Sequence, residues 1–187
     1  LGGLPGGLRN LTLSFDNAVL TLPTLSLSGD LTVTAGGAVT QAPAGTLAVT
    51  GTTTLAAVGF DITLDNLGND FGAALAATGN NVTLRDTNAL SLGASTIGGD
   101  LAVSAGGHIT QSGALAVSGA GSFTIDTATD QDVLLGGFAN DFGGAVTVAT
   151  SNGGSVRDVA LRNVNAGAAL GGLPGGLRNL TLSFDNA

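Results

Sequence analysis

The chain has 187 residues, including 32 glycines, no cysteine, methionine, tryptophan or tyrosine, and a formal net charge of −8 at pH 7. All 13 acidic residues are Asp and all five basic residues are Arg, so the basic surface of a nucleic-acid-binding protein is excluded. Glycine follows no three-residue period, which excludes collagen. The mean hydropathy of +0.43 and the β-branched runs argue against disorder.

The sequence repeats itself over a long period. Residues 170–187 match residues 1–18 letter for letter, 169 positions later. We therefore predict one full tandem repeat over residues 1–169 and the start of the next identical repeat over residues 170–187. We expect the chain to be part of a longer array, which continues covalently or stacks end to end on further copies. No run of 18 apolar residues predicts a membrane span.

A shorter repeat lies inside the long one. The segment at residues 29–41 recurs with conservative changes at residues 99–111, and the motif Asn-Asp-Phe-Gly occurs at residues 69–72 and 140–143. The spacing drifts by a few residues while the motifs keep their order, as stacked supersecondary units permit. The half-repeats are predicted at about residues 20–89 and 90–166.

Short runs of alternating apolar and polar residues follow one another along the chain. They lie at residues 11–15, 31–35, 62–64, 82–84 and 101–105, with Gly, Asn and Asp turn signals between them. Because successive side chains on a strand point to opposite faces, each run predicts a short strand with one buried side. No segment has the spacing of a sustained amphipathic helix.

Two all-β folds compete for this pattern, an antiparallel sandwich and a parallel solenoid. A sandwich does not explain nested repeats, whereas each coil of a solenoid buries its apolar side chains against its neighbours. We therefore predict a parallel β-helix with about 20–25 residues per coil, about seven or eight coils per period, and an advance of roughly 35–40 Å per period. We expect the seven Phe residues to plug the interior or pack at corners, with Phe71 and Phe142 in equivalent positions.

The segment Gly-Asp-Leu-Thr-Val-Thr-Ala-Gly-Gly-Ala-Val-Thr-Gln at residues 29–41, together with Asn-Asp-Phe-Gly at residues 69–72, resembles the repeat regions of filamentous-haemagglutinin-like bacterial exoproteins. The resemblance covers residues from about 20 to 166. It implies a right-handed β-helical shaft, a secreted or cell-surface location, and a role in adhesion or fibre formation. It also implies that cell-surface glycans or an extracellular matrix are partners.

Few residues of the sequence suggest chemistry. His108 is the single histidine, and Ala38 occupies its place in the other half, so we interpret it as a surface variant and not as a catalytic base. The pair Arg85-Asp86 is matched to Arg157-Asp158, and we interpret both pairs as side-chain ladders at coil corners, with an anion or glycan contact as the alternative.

Asp70 and Asp141 are weak candidates for calcium ligands, because each follows Asn in the repeated motif and calcium takes oxygen ligands. The alternative is that these residues form Asx turns without a metal. Neither a β-roll nonapeptide nor an EF-hand spacing is present. We predict no other cofactor and no catalytic residue.

The sequence as a whole predicts a structural and adhesive solenoid that is not an enzyme. One alternative is a glycan-binding surface module, whose binding strip would differ between the half-repeats. A second alternative is a polysaccharide-cleaving β-helix, which needs clustered carboxylates. Ice binding would need a flat Thr ladder, and Ala102 and Ser104 replace Thr32 and Thr34 in the second half.

Overall fold

The computed structural model describes residues 1, 4–167 and 169–185. In it the chain winds into about eight coils of about 21 residues each. The described residues form 22 strands and no helix, so they contain no helix long and apolar enough to cross a membrane. This architecture confirms the prediction of an all-β parallel solenoid and its coil length.

The strands stack into three parallel sheets that run along the solenoid. The first contains eleven strands: β1 (Leu11–Phe15), β4 (Leu31–Ala35), β7 (Thr53–Ala56), β10 (Leu75–Gly79), β12 (Leu90–Leu92), β13 (Ser95–Ile97), β15 (Ile109–Gln111), β16 (Leu115–Val117), β18 (Gln131–Phe142), β20 (Val156–Asn163) and β22 (Asn179–Phe184). The second contains eight: β2 (Leu20–Leu22), β5 (Val39–Gln41), β8 (Ile62–Leu64), β11 (Val82–Asp86), β14 (Leu101–Ala105), β17 (Gly121–Asp126), β19 (Val146–Ser151) and β21 (Leu170–Gly172). The third contains β3 (Leu25–Leu27), β6 (Leu47–Val49) and β9 (Asp70–Phe71).

Each strand pairs with the strand one coil away, and never with its neighbour along the chain. Strand β1, for example, pairs in parallel with β4, so that Leu11 lies opposite Leu31 and Phe15 opposite Ala35. Backbone hydrogen bonds therefore pass from coil to coil along the axis. A sandwich is excluded, because every pairing among the described strands is parallel.

The interior is a continuous apolar core filled by alternate residues of the strands. In β4 the side chains of Leu31, Val33 and Ala35 are buried and the intervening Thr residues face outward. This alternation is the period of two that the sequence carries. Burial of these inward-facing Leu, Val and Ile side chains along the stacked strands is the main source of cohesion, since apolar burial drives folding.

The prediction for phenylalanine is correct for some positions and wrong for others. Phe71, Phe123 and Phe142 are fully buried, and the rings of Phe123 and Phe142 meet edge to face with their centroids 6.0 Å apart. Phe60 and Phe138 are exposed. Phe60 lies in the bend between β7 and β8, and Phe138 lies in β18 where the strand register shifts between Leu135 and Asn140.

The two half-repeats present equivalent strands on different sheets. Strand β4 belongs to the 11-stranded sheet, whereas its sequence counterpart β14 belongs to the 8-stranded sheet. The physical reason is that an offset of 70 residues is not a whole multiple of a coil of about 21 residues. Equivalent surfaces of the half-repeats therefore face different sides of the solenoid.

Candidate functional site

The polar side chains of this protein concentrate at the corners of the coils. At one corner, the residue immediately before a strand accepts a hydrogen bond from the same position one coil further on, and we call this arrangement a corner ladder. Asn10 Oδ1 accepts from the Asp30 backbone N–H at 2.8 Å. Asp30 Oδ1 accepts from the Thr52 backbone N–H at 2.8 Å and from its hydroxyl at 3.0 Å. The ladder thus binds coils together where no strand pairing can.

A second corner ladder precedes strands of the 8-stranded sheet. Asp61 Oδ1 accepts from the Asn81 backbone N–H at 3.0 Å, Asn81 Oδ1 accepts from Asp100 N–H at 3.0 Å, and Asp100 Oδ1 accepts from Ala120 N–H at 2.8 Å. The Asn81 N–H, helped by the Asn80 side chain, lowers the pKa of Asp61. A charged carboxylate is therefore the stable form of this acceptor at neutral pH.

Two pairs of side-chain amides, each made of a buried Asn and a half-buried Gln and here called amide clasps, join coils at another corner. Asn69 Oδ1 accepts from Gln41 Nε2 at 2.9 Å, and Asn69 Nδ2 donates to Gln41 Oε1 at 2.9 Å. Asn69 also accepts from the Leu47 N–H and donates to the Leu64 carbonyl. Asn69 is fully buried, and these four bonds satisfy both donors and both acceptor lone pairs of its side-chain amide.

The second clasp repeats the first in the other half. Asn140 Oδ1 accepts from Gln111 Nε2 at 3.2 Å, and Asn140 Nδ2 donates to Gln111 Oε1 at 3.0 Å. Asn140 likewise accepts from the Leu115 N–H and donates to the Leu135 carbonyl. The repeated Asn-Asp-Phe-Gly motif therefore has a structural explanation for its Asn, which the sequence analysis did not find.

In each half-repeat, a buried side-chain oxygen of the next coil accepts a hydrogen bond from the backbone N–H of the motif's Phe. The Phe71 N–H donates to Asp86 Oδ2 at 3.0 Å, and the Phe142 N–H donates to Asn163 Oδ1 at 3.0 Å. Asp86 is thus the structural counterpart of Asn163, and the sequence match of Asp86 to Asp158 is wrong. The correct alignment follows the pattern Val-x-Leu-Arg-Asp/Asn-x-Asn at residues 82–88 and 159–165.

The two acceptors differ in charge. Burial raises the pKa of Asp86 to about 6, and backbone N–H groups of Asn88 and Phe71 oppose this rise only in part. The neighbouring Asp70 carboxylate raises the pKa further. Asn163 is neutral and also donates through Nδ2 to the Phe142 carbonyl at 3.2 Å.

The calcium candidates accept hydrogen bonds from side-chain amides of the next coil. Asp70 Oδ1 accepts from Asn88 Nδ2 at 2.9 Å, and Asp141 Oδ1 accepts from Asn165 Nδ2 at 2.7 Å. No group of three or more His, Cys, Asp or Glu side chains arranged to hold a metal occurs in the described part of the chain. Calcium binding at Asp70 or Asp141 stays a prediction.

Four of the five arginines, namely Arg85, Arg157, Arg162 and Arg178, form ion pairs between coils. Arg157 binds Asp132 through both Nε and an Nη, at 3.1 and 2.8 Å, and the Asp132 bond is the main cause of the raised pKa of Arg157. His108 Nδ1 accepts from the Asp132 N–H at 3.0 Å. Arg85 pairs with Asp126. These ion pairs link coils through Asp126 and Asp132, and the interpretation of the two Arg-Asp sequence pairs as corner ladders stays a prediction.

The outer face of the 8-stranded sheet carries a column of small, mostly hydroxyl-bearing side chains, which we call the hydroxyl column. Strand pairing places its members one above another in successive coils. The hydroxyl oxygens of its first two members, Thr21 and Thr40, lie 3.1 Å apart. The members are Thr21, Thr40, Thr63, Thr83, Ala102, Ser122 and Thr147. The sequence analysis missed this column, because the members lie in different half-repeats and only the coil register aligns them.

Comparison with known proteins gives one family match. A family model described as "Repeats of unknown function (DUF5649)" matches the chain twice in tandem, over residues 8–78 and 79–149, which together are well over half of it. No curated protein and no solved structure matches the chain. The family model divides the chain between residues 78 and 79, whereas we predicted a division between residues 89 and 90. Our boundaries of the half-repeats stay a prediction.

Proposed function

The chain belongs to the family of repeats of unknown function (DUF5649), and from this premise we propose that it is a segment of a rigid extracellular shaft. Its fold is that of a structural repeat protein. The shaft serves as a spacer or fibre outside a bacterial cell and supports adhesion. This role requires no catalysis.

One observation carries the proposal, namely that cohesion runs along the axis through every coil. Parallel strand pairs, corner ladders and amide clasps all join one coil to the next. Bending such a rod breaks hydrogen bonds in several sheets at once, so stiffness follows from the fold. A stiff rod suits a spacer, because its length grows in proportion to the number of repeats.

The location and partners rest on the resemblance to filamentous-haemagglutinin-like exoproteins at residues 29–41 and 69–72. That resemblance supports secretion to the cell surface or matrix, further copies of the repeat as partners, and a right-handed coil. The lack of cysteine accords with a secreted bacterial protein.

The polysaccharide-cleaving alternative is less well supported. Such enzymes need a pair of carboxylates that flank the scissile bond. The corner carboxylates of Asp30, Asp61 and Asp100 are instead occupied by hydrogen bonds from neighbouring coils. Their arrangement accords with structural use.

The shaft proposal is tested by electron microscopy of the natural protein, combined with protease treatment of intact cells. We expect thin rods whose length scales with the number of repeats, and loss of the protein from cells after protease treatment. Compact particles would contradict the shaft, and protection from the protease would contradict the surface location.

The hydroxyl column favours glycan binding as a second candidate function. Regularly spaced hydroxyls can exchange hydrogen bonds with a neutral polysaccharide, and Thr83 and Ser122 line a shallow groove on this face together with Arg85, Ser104 and Thr124.

Cosedimentation with insoluble polysaccharides tests this candidate. We expect Thr63→Val together with Thr83→Val to abolish binding, and Thr12→Val on the other long sheet to leave it unchanged. Equal binding by the native chain, the double variant and Thr12→Val would contradict glycan binding by the hydroxyl column.

A further inference from the structure

The structure contains the same strand in two settings, one covered by a following coil and one not. Strands β1 and β22 both contain the sequence Leu-Thr-Leu-Ser-Phe, at residues 11–15 and 180–184. Strand β1 pairs with β4, which follows it in the chain. Among the described residues, β22 pairs only with β20, which precedes it. The side of β22 that corresponds to the paired side of β1 is therefore open.

Side-chain exposure records the same difference. Leu182 is 38% exposed, whereas the identical Leu13 in β1 is 9% exposed. Leu13 is covered because β4 places Val33 opposite it. Leu182 thus has the sequence context of a buried residue without the coil that would bury it.

The directions of the backbone hydrogen-bonding groups also indicate that one side of β22 is open. In a parallel ladder, alternate residues bond to opposite neighbours. The Leu11 N–H donates to the Asp30 carbonyl at 2.9 Å, and the Phe15 carbonyl accepts from the Gly36 N–H at 2.7 Å. In β22 the residues that alternate with Leu180, Leu182 and Phe184 direct their backbone groups toward β20. The pairing of Asn163 with Phe184 and the bond from the Asp185 N–H to the Asn163 carbonyl, at 3.1 Å, show this direction.

A side-chain acceptor marks where the following coil joins. Asn10 Oδ1 accepts from Asp30 N–H, and Asn81 Oδ1 accepts from Asp100 N–H in the same way. In both cases the donor belongs to a Gly-Asp-Leu segment that begins the next strand. Asn179 is the third residue of this kind, and its Nδ2 already donates to Asp158 Oδ1 at 2.9 Å. From the example of Asn10 and Asn81, we expect its Oδ1 to accept from the N–H of a following Gly-Asp-Leu segment.

We propose that the open side of β22 is a joining surface for a second copy of the repeat, whose strand equivalent to Leu31–Ala35 pairs with Leu180–Phe184 as β4 pairs with β1. Tandem copies then share one uninterrupted core and one set of ladders, with no linker between them. The partner of this surface is the next tandem copy of the repeat, because in a separate complete chain the equivalent strand is already paired on both sides. The inference rests on the proposed shaft function and specifies how the shaft is assembled.

The test compares the 187-residue chain with an extended chain in which residues 19–187 are repeated after residue 187. Segmental isotope labelling of the first 187 residues keeps the identical segments distinguishable, and amide hydrogen exchange is followed by NMR. In the shorter chain we expect fast exchange at Leu180 and Leu182 and protection at Thr181 and Ser183. In the extended chain all four amides become protected, with exchange at the two Leu amides slowed about a hundredfold or more.

Unchanged exchange at Leu180 and Leu182 in the extended chain would overturn the proposal, as would electron micrographs of two rods joined by a hinge. Asn179→Ala in the extended chain should lower protection of Leu180, as Asn10→Ala should at Leu11, and Asn17→Ala serves as an exposed control. Wild-type protection in Asn179→Ala would remove the joining role of that side chain. Protease accessibility on cells tests the shaft's location independently, so the two proposals can fail separately.

Discussion

The corner that follows the Asn-Asp-Phe-Gly motif is built twice, once in each half-repeat, and the two versions differ in a single charge. Asp86 receives the Phe71 N–H in the first half and Asn163 receives the Phe142 N–H in the second. Both are buried. The geometry is kept because either side chain offers an oxygen to the same backbone donor. The fold therefore selects for an acceptor and tolerates a buried carboxylate in one of the two places.

The same comparison separates cohesion from surface chemistry. The amide clasps are equivalent in both halves, since each Asn makes the same four kinds of contact. The outward residues differ, for example Thr32 in the first half and Ala102 in the second. Contacts that hold coils together are repeated, whereas residues that face solvent vary. The following variants test this division.

Removal of a clasp should have the largest effect. Asn69→Ala takes the buried side-chain partner away from the Leu47 N–H and the Leu64 carbonyl, and it removes both hydrogen bonds between Asn69 and the Gln41 amide. Because each unsatisfied buried group costs about 1–3 kcal/mol, we expect a loss of roughly 3–5 kcal/mol in the free energy of unfolding. Urea denaturation measures this loss. Asn140→Ala should lose a similar amount and the exposed Asn17→Ala nearly none; equal stability of all three variants would refute the structural role of the clasps.

Asp86→Asn should remove a pH dependence of the free energy of unfolding. The neutral Asn163 gives the second half-repeat no such dependence at the equivalent position. The pKa of Asp86 is raised from 3.8 to about 6 in the folded chain, so its stabilising protonated form is fully present below pH 3.8 and is lost as pH rises through about 6. At about 1.4 kcal/mol per pKa unit, the native chain loses about 3 kcal/mol over this window.

We therefore expect Asp86→Asn to gain about 3 kcal/mol of stability relative to the native chain between pH 3.5 and pH 8. The measurement is the free energy of unfolding in urea at both pH values. The mirror variant Asn163→Asp should lose stability over the same window. A pH-independent difference between native chain and Asp86→Asn would show that Asp86 does not titrate as a buried acid.

Breaking a corner ladder should cost less, because the ladder is exposed. Asp100→Ala removes the acceptor of the Ala120 N–H, and we expect a loss of about 1 kcal/mol. Asp100→Asn keeps an acceptor oxygen, as Asn81 does in the same ladder, and should remain close to native stability. A larger loss for Asp100→Asn than for Asp100→Ala would contradict the ladder. Thermal unfolding followed by circular dichroism is sufficient for this comparison.

The smallest expected change is a gain. Thr53 lies in the interior column between Leu31 and Leu75, and its Oγ1 has no hydrogen-bond partner among the described residues. Thr53→Val replaces this buried hydroxyl with a methyl group of similar size, so we expect about 1 kcal/mol of added stability. The outward Thr54→Val is the matched control and should change little. Destabilisation by Thr53→Val would indicate a partner for the hydroxyl in solution.

The sequence by itself determined the fold class, the coil length and the repeat. Alternation of apolar residues and nested repeats are local and periodic signals, and a parallel solenoid is the fold that satisfies both. The tertiary structure alone decided which residues lie above one another. Because the coils differ in length, the register between them cannot be counted from the sequence. The structure makes Asp86 the counterpart of Asn163, aligns Thr63 with Thr83, and turns the half-repeats onto different sheets. The buried amide clasps belong to this second group, because Gln41 and Asn69 are 28 residues apart and only the winding of the chain brings them into contact.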